Sequence, residues 1–457
     1  MNKEGYKYTD TNRKIVQICK FIFPSLIGVL LFMCPISYNN KITIPIAVLT
    51  EWIGVQLESY IEGIIVSLII IAFLGSTVVK VIKRIVKSPL PKWLLELFDV
   101  SMLWYVVRFV AMIFSLLIVF QVGPEIIRSE GTGTMVFYEL LTILVSVFLL
   151  AGFLLPLLLN FGLLEFFGAL LVNVMRPLFG IPGRAAIDAI TSWLGDGSIG
   201  VMLTSKQYED GYYTEKEACV IGTNFSLVSI TFCLIVVNYV DLAHMFLPFY
   251  LIVSFACLVA AIVMPKLPPL RNKGDMYVDG RVLEDENVFY ENKDRISYGF
   301  SKALEKVASI NVGKSIVVDG AKNVIEMWIG VLPVVMTVGT IALVVAEYTN
   351  VFQILGLPFV PLLNLLGIPE AVQASQTLFA GFADMLLPSI MISGVQSELT
   401  RFVVAAVSVS QLIYLSEVGS LILSSKIPLK LWELFEIFIL RTLITLPIIA
   451  VIGHILF

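Results

Sequence analysis

Seven polar side chains, Asp188, Asp196, Asn224, Asp384, Gln411, Ser416 and Glu417, fall in stretches otherwise apolar enough to lie in a membrane. Their chemistry is that of handling a solute or a proton. Glu417 follows Ser416 directly, in Q-L-I-Y-L-S-E-V-G-S. A carboxylate near bilayer depth costs about 2.5–3.5 kcal/mol on insertion scales, so a cavity, a partner or a proton must accompany it. Two roles are open to it: carrier of a coupling proton, since a buried carboxyl group can hold one at neutral pH, or structural ion pair with Arg108 or Arg441. Asn224 and Gln411 offer donor and acceptor together and could read the edge of an uncharged polar solute. Amides also join membrane helices, for about 0.6–2 kcal/mol. Asp188 lies one turn from Arg184, and the two could satisfy each other.

These residues need backbone that departs from a simple span. From Leu178 to Ser229 the apolar chain is punctuated by Gly180, Pro182 and Gly183, and again by Gly195, Gly197 and Gly200. Broken backbone at membrane depth persists only where protein buries it or water wets it, because each unsatisfied N–H or C=O costs several kcal/mol in hydrocarbon. A second stretch of the same order runs from Leu365 to Ser416. At an offset of 187 residues Gly180-Ile-Pro falls on Gly367-Ile-Pro, Asn224 on Gln411, and Ser229 on Ser416. Paired, interrupted segments of this kind mark the binding site of many transporters. The Gly clusters at 195–200 and around Gly381 and Gly394 are candidate flex points.

Hydrophobic residues make up 58% of the 457 and charged ones 14%, which places the chain among polytopic, all-α membrane proteins. The net charge of −4 gives no footing for nucleic acid. Five scattered cysteines and two histidines supply neither a disulfide frame nor a metal cluster, and no cofactor is expected. Apolar runs near 16–36, 61–82, 102–122, 135–159, 217–239, 242–264, 322–346, 401–423 and 434–456 predict about nine spans. Residues 41–57 read as interfacial or re-entrant. The resulting divisions are 1–134 (N-terminal membrane helices), 135–264 (first repeat with its following span), 265–319 (polar insert), 320–425 (second repeat) and 426–457 (last helix). In the insert, Ile296, Phe300, Leu304, Val307 and Ile310 repeat at helical spacing and predict an amphipathic helix, packed on the bundle or regulatory.

Lys and Arg in short loops set orientation. The N-terminal tail, the loop holding Lys80 to Lys92, the insert with its nine Lys and Arg, and Lys426 with Lys430 are expected to be cytoplasmic. The interrupted segments then become re-entrant hairpins on opposite faces, an inverted repeat.

Other chemistries lack their context. Ala308-Ser-Ile-Asn-Val-Gly-Lys-Ser315 approaches a phosphate-binding loop, but no strand precedes it and no nucleotide domain surrounds it. Asp196 and Asp384 could suggest an intramembrane aspartyl pair, without any recognised hydrolase spacing around either. Glu139, Glu165 and Glu326 sit near span ends and read as headgroup-facing.

The stretch Gly183–Thr204, together with F-A-G-F-A-D-M-L-L-P-S-I (Phe379–Ile390) and Gln411–Ser420, resembles the YjiH-type branch of the Gate, or nucleoside-recognition, domain family, and the resemblance covers most of the chain. It implies a bacterial inner-membrane permease with two hairpin gates and a cytoplasmic N-terminus. The GTPase domain of iron-transporting relatives is missing, and the base and ribose contacts of nucleoside carriers have no residue-by-residue match. The expectation is a non-enzymatic secondary transporter of a small polar metabolite. Asp188, Asp196, Asn224, Asp384, Gln411 and Ser416 would bind the solute, and Glu417 would couple its movement to H+ or Na+. The partners are that solute, the lipids, a coupling ion and, as an open alternative, further copies of the chain. The rival reading is a non-transporting membrane scaffold or sensor that keeps the same architecture to assemble with a partner.

Overall fold

Apolar segments of this length satisfy their own backbone only as helices, and the fold follows. The computed structural model describes residues 3–34, 36–38, 41–85, 91–194, 197–225, 230–282, 294–308 and 310–457. Apart from an antiparallel ribbon of Ile36–Tyr38 against Lys41–Thr43 and two isolated bridges, the described residues form helices, turns and loops. Seven helices among them are long and apolar enough to cross a membrane: Lys14–Met33, Pro45–Ile85, Met102–Val119, Glu125–Leu159, Ala243–Lys266, Val312–Tyr348 and Leu431–Leu456. The chain is a polytopic all-α membrane protein.

Three expectations change in detail. Residues 45–57 are the start of the 41-residue helix Pro45–Ile85 rather than a separate interfacial element. The apolar runs at 217–239 and 401–423 are each two helices. In the first, the helix Glu215–Asn224 ends at Phe225 and Ile230–Tyr239 is helical, with 226–229 outside the described residues; the second divides into Glu398–Gln411 and Val418–Ser424. The hydropathy of both runs is that of a span, and the interruption follows directly after the amide, Asn224 or Gln411. Lastly, the amphipathic helix is Arg295–Ala308. Its apolar face packs on protein: Ala303 and Val307 are buried with Phe21, Leu157 and Phe161.

Two stretches follow one order of elements. A long apolar helix (ending at Leu159, or at Tyr348) leads to a shorter helix (Leu163–Phe179, or Val351–Leu365). A helix pair follows, Ala185–Leu194 with Gly197–Glu209, or Ala371–Leu378 with Leu387–Ile392. The divided helix comes next, and a final long apolar helix, Ala243–Lys266 or Leu431–Leu456, closes each set. The Gly-Ile-Pro coincidence has a physical cause. Gly180 (φ 70°) and Gly367 (φ 69°) both turn left-handed where the shorter helix stops, so that the Ile-Pro can start the hairpin. The last helix spans the distance between two polar clusters. At its start Glu433 pairs with Lys273 at 2.7 Å, beside the loop that bonds Glu215. At its far end His454 Nε2 donates to the Leu366 carbonyl at 2.7 Å, at the entrance of the second hairpin. Twenty-one positions of helix correspond to about 31 Å, close to one hydrocarbon thickness.

An alanine at either left-handed glycine should cost about 1–2 kcal/mol. Gly180→Ala and Gly367→Ala are each expected to lower the unfolding midpoint of the purified protein. Gly394→Ala, where an added Cβ meets nothing within 4 Å, serves as the control and should stay close to the parent.

Candidate functional site

The non-helical stretch between Gln411 and Val418 needs partners for its peptide groups, and the second hairpin provides them. Leu415 N–H donates to the Phe382 carbonyl at 2.8 Å and Ser416 N–H to the Ala383 carbonyl at 2.9 Å. The next residue of the hairpin, Asp384, accepts from Ser416 Oγ at 2.6 Å and from Leu386 N–H at 2.8 Å. Asp384 and Ser416, read as separate polar positions in sequence, therefore form one buried pair. Gly339, in a π-helical turn of Val312–Tyr348, packs behind them: a Cβ there would stand 3.5 Å from Ser416 Cα, at ordinary contact distance.

Glu417 links this pair to the other hairpin. Ser198 Oγ, in the first turn of Gly197–Glu209, donates to Glu417 Oε1, and Tyr414 OH lies 3.4 Å from Oε2. The two arginines weighed as its partners are engaged with other acceptors. Arg108 donates to the Ala72 and Leu97 carbonyls and to Ser76 Oγ. Arg441 donates to Asn224 Oδ1 and to the Thr223 and Ser410 carbonyls.

Asp188 is buried within the first hairpin and held there. Tyr213 OH donates to its Oδ2 at 2.9 Å and Thr204 Oγ1 at 3.3 Å, while Oδ1 has no hydrogen-bond partner among the described residues. Arg184, the neighbour considered for it, instead faces Glu165 at 3.7 Å and stacks over the Tyr212 ring. Asp196 lies outside the described residues. Asn224 Nδ2 bonds back to the Val220 carbonyl. Gln411 Nε2 donates to the Leu378 carbonyl at 3.1 Å and Thr442 Oγ1 at 2.9 Å. Its Oε1 is buried with no partner among the described residues, and Gly381 leaves the room in front of it, since a Cβ there would sit 2.2 Å away. That acceptor faces the second hairpin.

A charged cavity of about 600 Å³ opens beside this region, lined by Arg108, Lys206, Glu209, Lys322, Glu326 and Lys426 among others. A smaller cavity of about 110 Å³ shares Lys206, Glu209, Glu326 and Ser424 with it and continues to Val201, Met202 and Leu421. Those residues lie about one helical turn from Ser198 and Glu417. Sequence reading assigns Glu326 to the headgroups, weighs Arg108 only as a partner of Glu417, and leaves Lys206 and Glu209 unplaced. Only the tertiary arrangement of three helices shows that they share a wall. Ser198 and Arg441 were likewise visible as polar residues in apolar sequence, without a signal for what they touch.

An all-α membrane protein in which hairpins meet a divided helix is the class these observations define. Within it, residues 141–246 match the Gate family, described as nucleoside recognition, and that domain with the apolar helices suggests a membrane transporter. The chain is 45% identical over 444 residues to the uncharacterized protein BpOF4_10220 of Alkalihalophilus pseudofirmus, covering 96% of this chain and 94% of that one, and it belongs to the same family. No solved structure matches.

Tyr213→Phe removes a donor from the buried Asp188 carboxyl group and should cost about 1–3 kcal/mol in thermal or denaturant unfolding. For the cavity, cysteines introduced at Ser424 and Ser416 in a chain with its own five cysteines replaced are expected to differ. A membrane-impermeant thiol reagent, given access to both faces, should label position 424 and spare 416.

Proposed function

We propose that the chain is a secondary transporter of a small polar solute, nucleoside-like or otherwise, working by alternating access about its two hairpins. The observation that carries the reading is the junction of Asp384, Ser416 and Glu417 with Ser198. Residues of both hairpins meet the same non-helical stretch, and the cavity of about 110 Å³ ends about one turn away. Solute would bind against Asp384, Ser416 and the open acceptor of Gln411. Asp188, Asp196 and Asn224 belong to the first repeat's share of the site, with Asp188 acting through the shape of its hairpin.

The repeats are inverted on this reading. Supporting it are the polar clusters at the two ends of the last helix, one beside the base of the first hairpin and its neighbouring divided helix, the other at the entrance of the second hairpin. Arg401 lies 3.8 Å from Asp241 in the second cluster. The lining of the larger cavity includes Lys206, Lys322 and Lys426, and of these Lys426 is one that loop charge assigns to the cytoplasm. The state is then open toward the cytoplasm and closed at Ser198 and Glu417. Alternating access requires two states within a few kcal/mol, so that binding can shift the balance.

Glu417 is the coupling residue in this scheme. Glu417→Gln should retain exchange of labelled solute across proteoliposomes while losing accumulation driven by an imposed pH gradient. Undiminished accumulation in that variant removes the proton role. No uptake by the parent chain across a panel of nucleosides and other polar metabolites would favour the scaffold reading.

A further inference from the structure

Arg441 lies in the middle of Leu431–Leu456 with none of its surface exposed. A buried guanidinium is costly unless its charge and its N–H groups are met. Here they are met by oxygen and sulfur. Nη1 donates to Asn224 Oδ1 at 2.8 Å and to the Thr223 carbonyl at 3.5 Å. Nε and Nη2 share the Ser410 carbonyl at 3.2 and 2.9 Å, and Nη2 reaches Cys257 Sγ at 3.6 Å. None of these acceptors is a carboxylate.

Thr223 and Ser410 are 187 residues apart, the spacing that also relates Gly180 to Gly367. Each is the penultimate residue of the first half of a divided helix, Glu215–Asn224 or Glu398–Gln411. Their carbonyls stand where a helix runs out of N–H groups to receive them, and Leu412 (φ 61°) turns the chain away directly afterwards. A helix C-terminus carries a partial charge of about −0.5, so two such ends together balance one guanidinium.

We propose that these oxygens form a cation site shared by the two divided helices and that Arg441 is its tethered occupant, so that the same site, vacated by truncation, accepts a free guanidinium-class cation. An ion that drives transport would have to bind elsewhere, because the helix ends suited to it are already filled. The last helix is also fixed to both repeats at one point.

The test is thermal unfolding of the full chain in detergent, for the parent and for Arg441→Ala, Arg441→Met and Arg441→Lys. Guanidinium chloride is added at concentrations well below those that denature, against sodium and choline chloride at equal strength. Arg441→Ala should melt lower than the parent and recover most of the loss with guanidinium alone, while the parent and Arg441→Met gain nothing from it. Arg441→Lys should melt above Arg441→Met. Arg441→Ala that folds but shows no guanidinium-specific recovery overturns the proposal, as does Arg441→Met equal to the parent. If Arg441→Ala does not fold, the order of the other two decides: Lys above Met supports the site, and Met equal to or above Lys removes it. The readout does not depend on transport, so its failure leaves the transport reading untouched.

Discussion

Backbone that leaves the helical path in a low-dielectric interior must find other partners, and the architecture turns on how residues 412–417 find theirs. Two N–H groups of this stretch bond to carbonyls of the second hairpin, and Ser416 closes onto Asp384. Each such bond is modest in net terms, but leaving a buried donor unpaired costs about 1–3 kcal/mol. The hairpin and the divided helix therefore stabilise one another, and neither would hold its conformation alone. Polar side chains gather there for the same reason: the hydroxyl and carboxyl groups that satisfy broken backbone are also the groups that can meet a solute.

Much of this was legible in sequence because glycine, proline and polar residues seldom cluster inside an apolar run unless the helix breaks there. The breaks in the helical path near residues 180–184 and 365–370 came from such signals, and the surface helix from apolar residues at helical spacing. The division of the runs at 217–239 and 401–423 did not, since Leu412, Ile413 and Leu415 have the composition of a span. The N–H groups of Leu415 and Ser416 are paired by carbonyls some thirty positions away, and hydropathy carries no record of that. Glu417 announced itself as a charge in an apolar stretch, yet its contact with Ser198 joins residues 219 positions apart. The arginine partners weighed for it were sound by charge alone. Geometry gives Arg108 and Arg441 neutral oxygens instead, a solution that depends on helix ends whose positions only the fold fixes.

The polar insert illustrates how an amphipathic pattern can be read correctly in kind and incompletely in consequence. Helix Arg295–Ala308 buries its apolar face against the bundle, and its Lys306 reaches the base of the first hairpin. There it donates to Tyr212 OH at 2.5 Å and stands 4.0 Å from Glu165, which also faces Arg184. This helix of the polar insert is thus fastened to the first hairpin. Gly162 and Gly299 make the approach possible, since a Cβ on either would meet neighbouring backbone at about 3 Å. A shift of this hairpin would have to carry the helix with it or break those contacts.

Two charges in the core are treated differently, and the difference bears on which part can move. Arg441 is held by four acceptors from three separate segments, so displacing it would expose several buried oxygens at once. Glu417 is half-buried, touched by hydroxyl groups of Ser198 and Tyr414, and near the end of the smaller cavity. A hydroxyl–carboxylate bond is strong while the acid is ionised and weakens to an ordinary neutral bond when it is protonated. On the transport reading, a proton arriving through the cavity would loosen the contact between Glu417 and the first hairpin without disturbing the arginine that binds the last helix to both repeats. Motion would then fall on the hairpin, and the divided helices would serve as the fixed frame against which it turns.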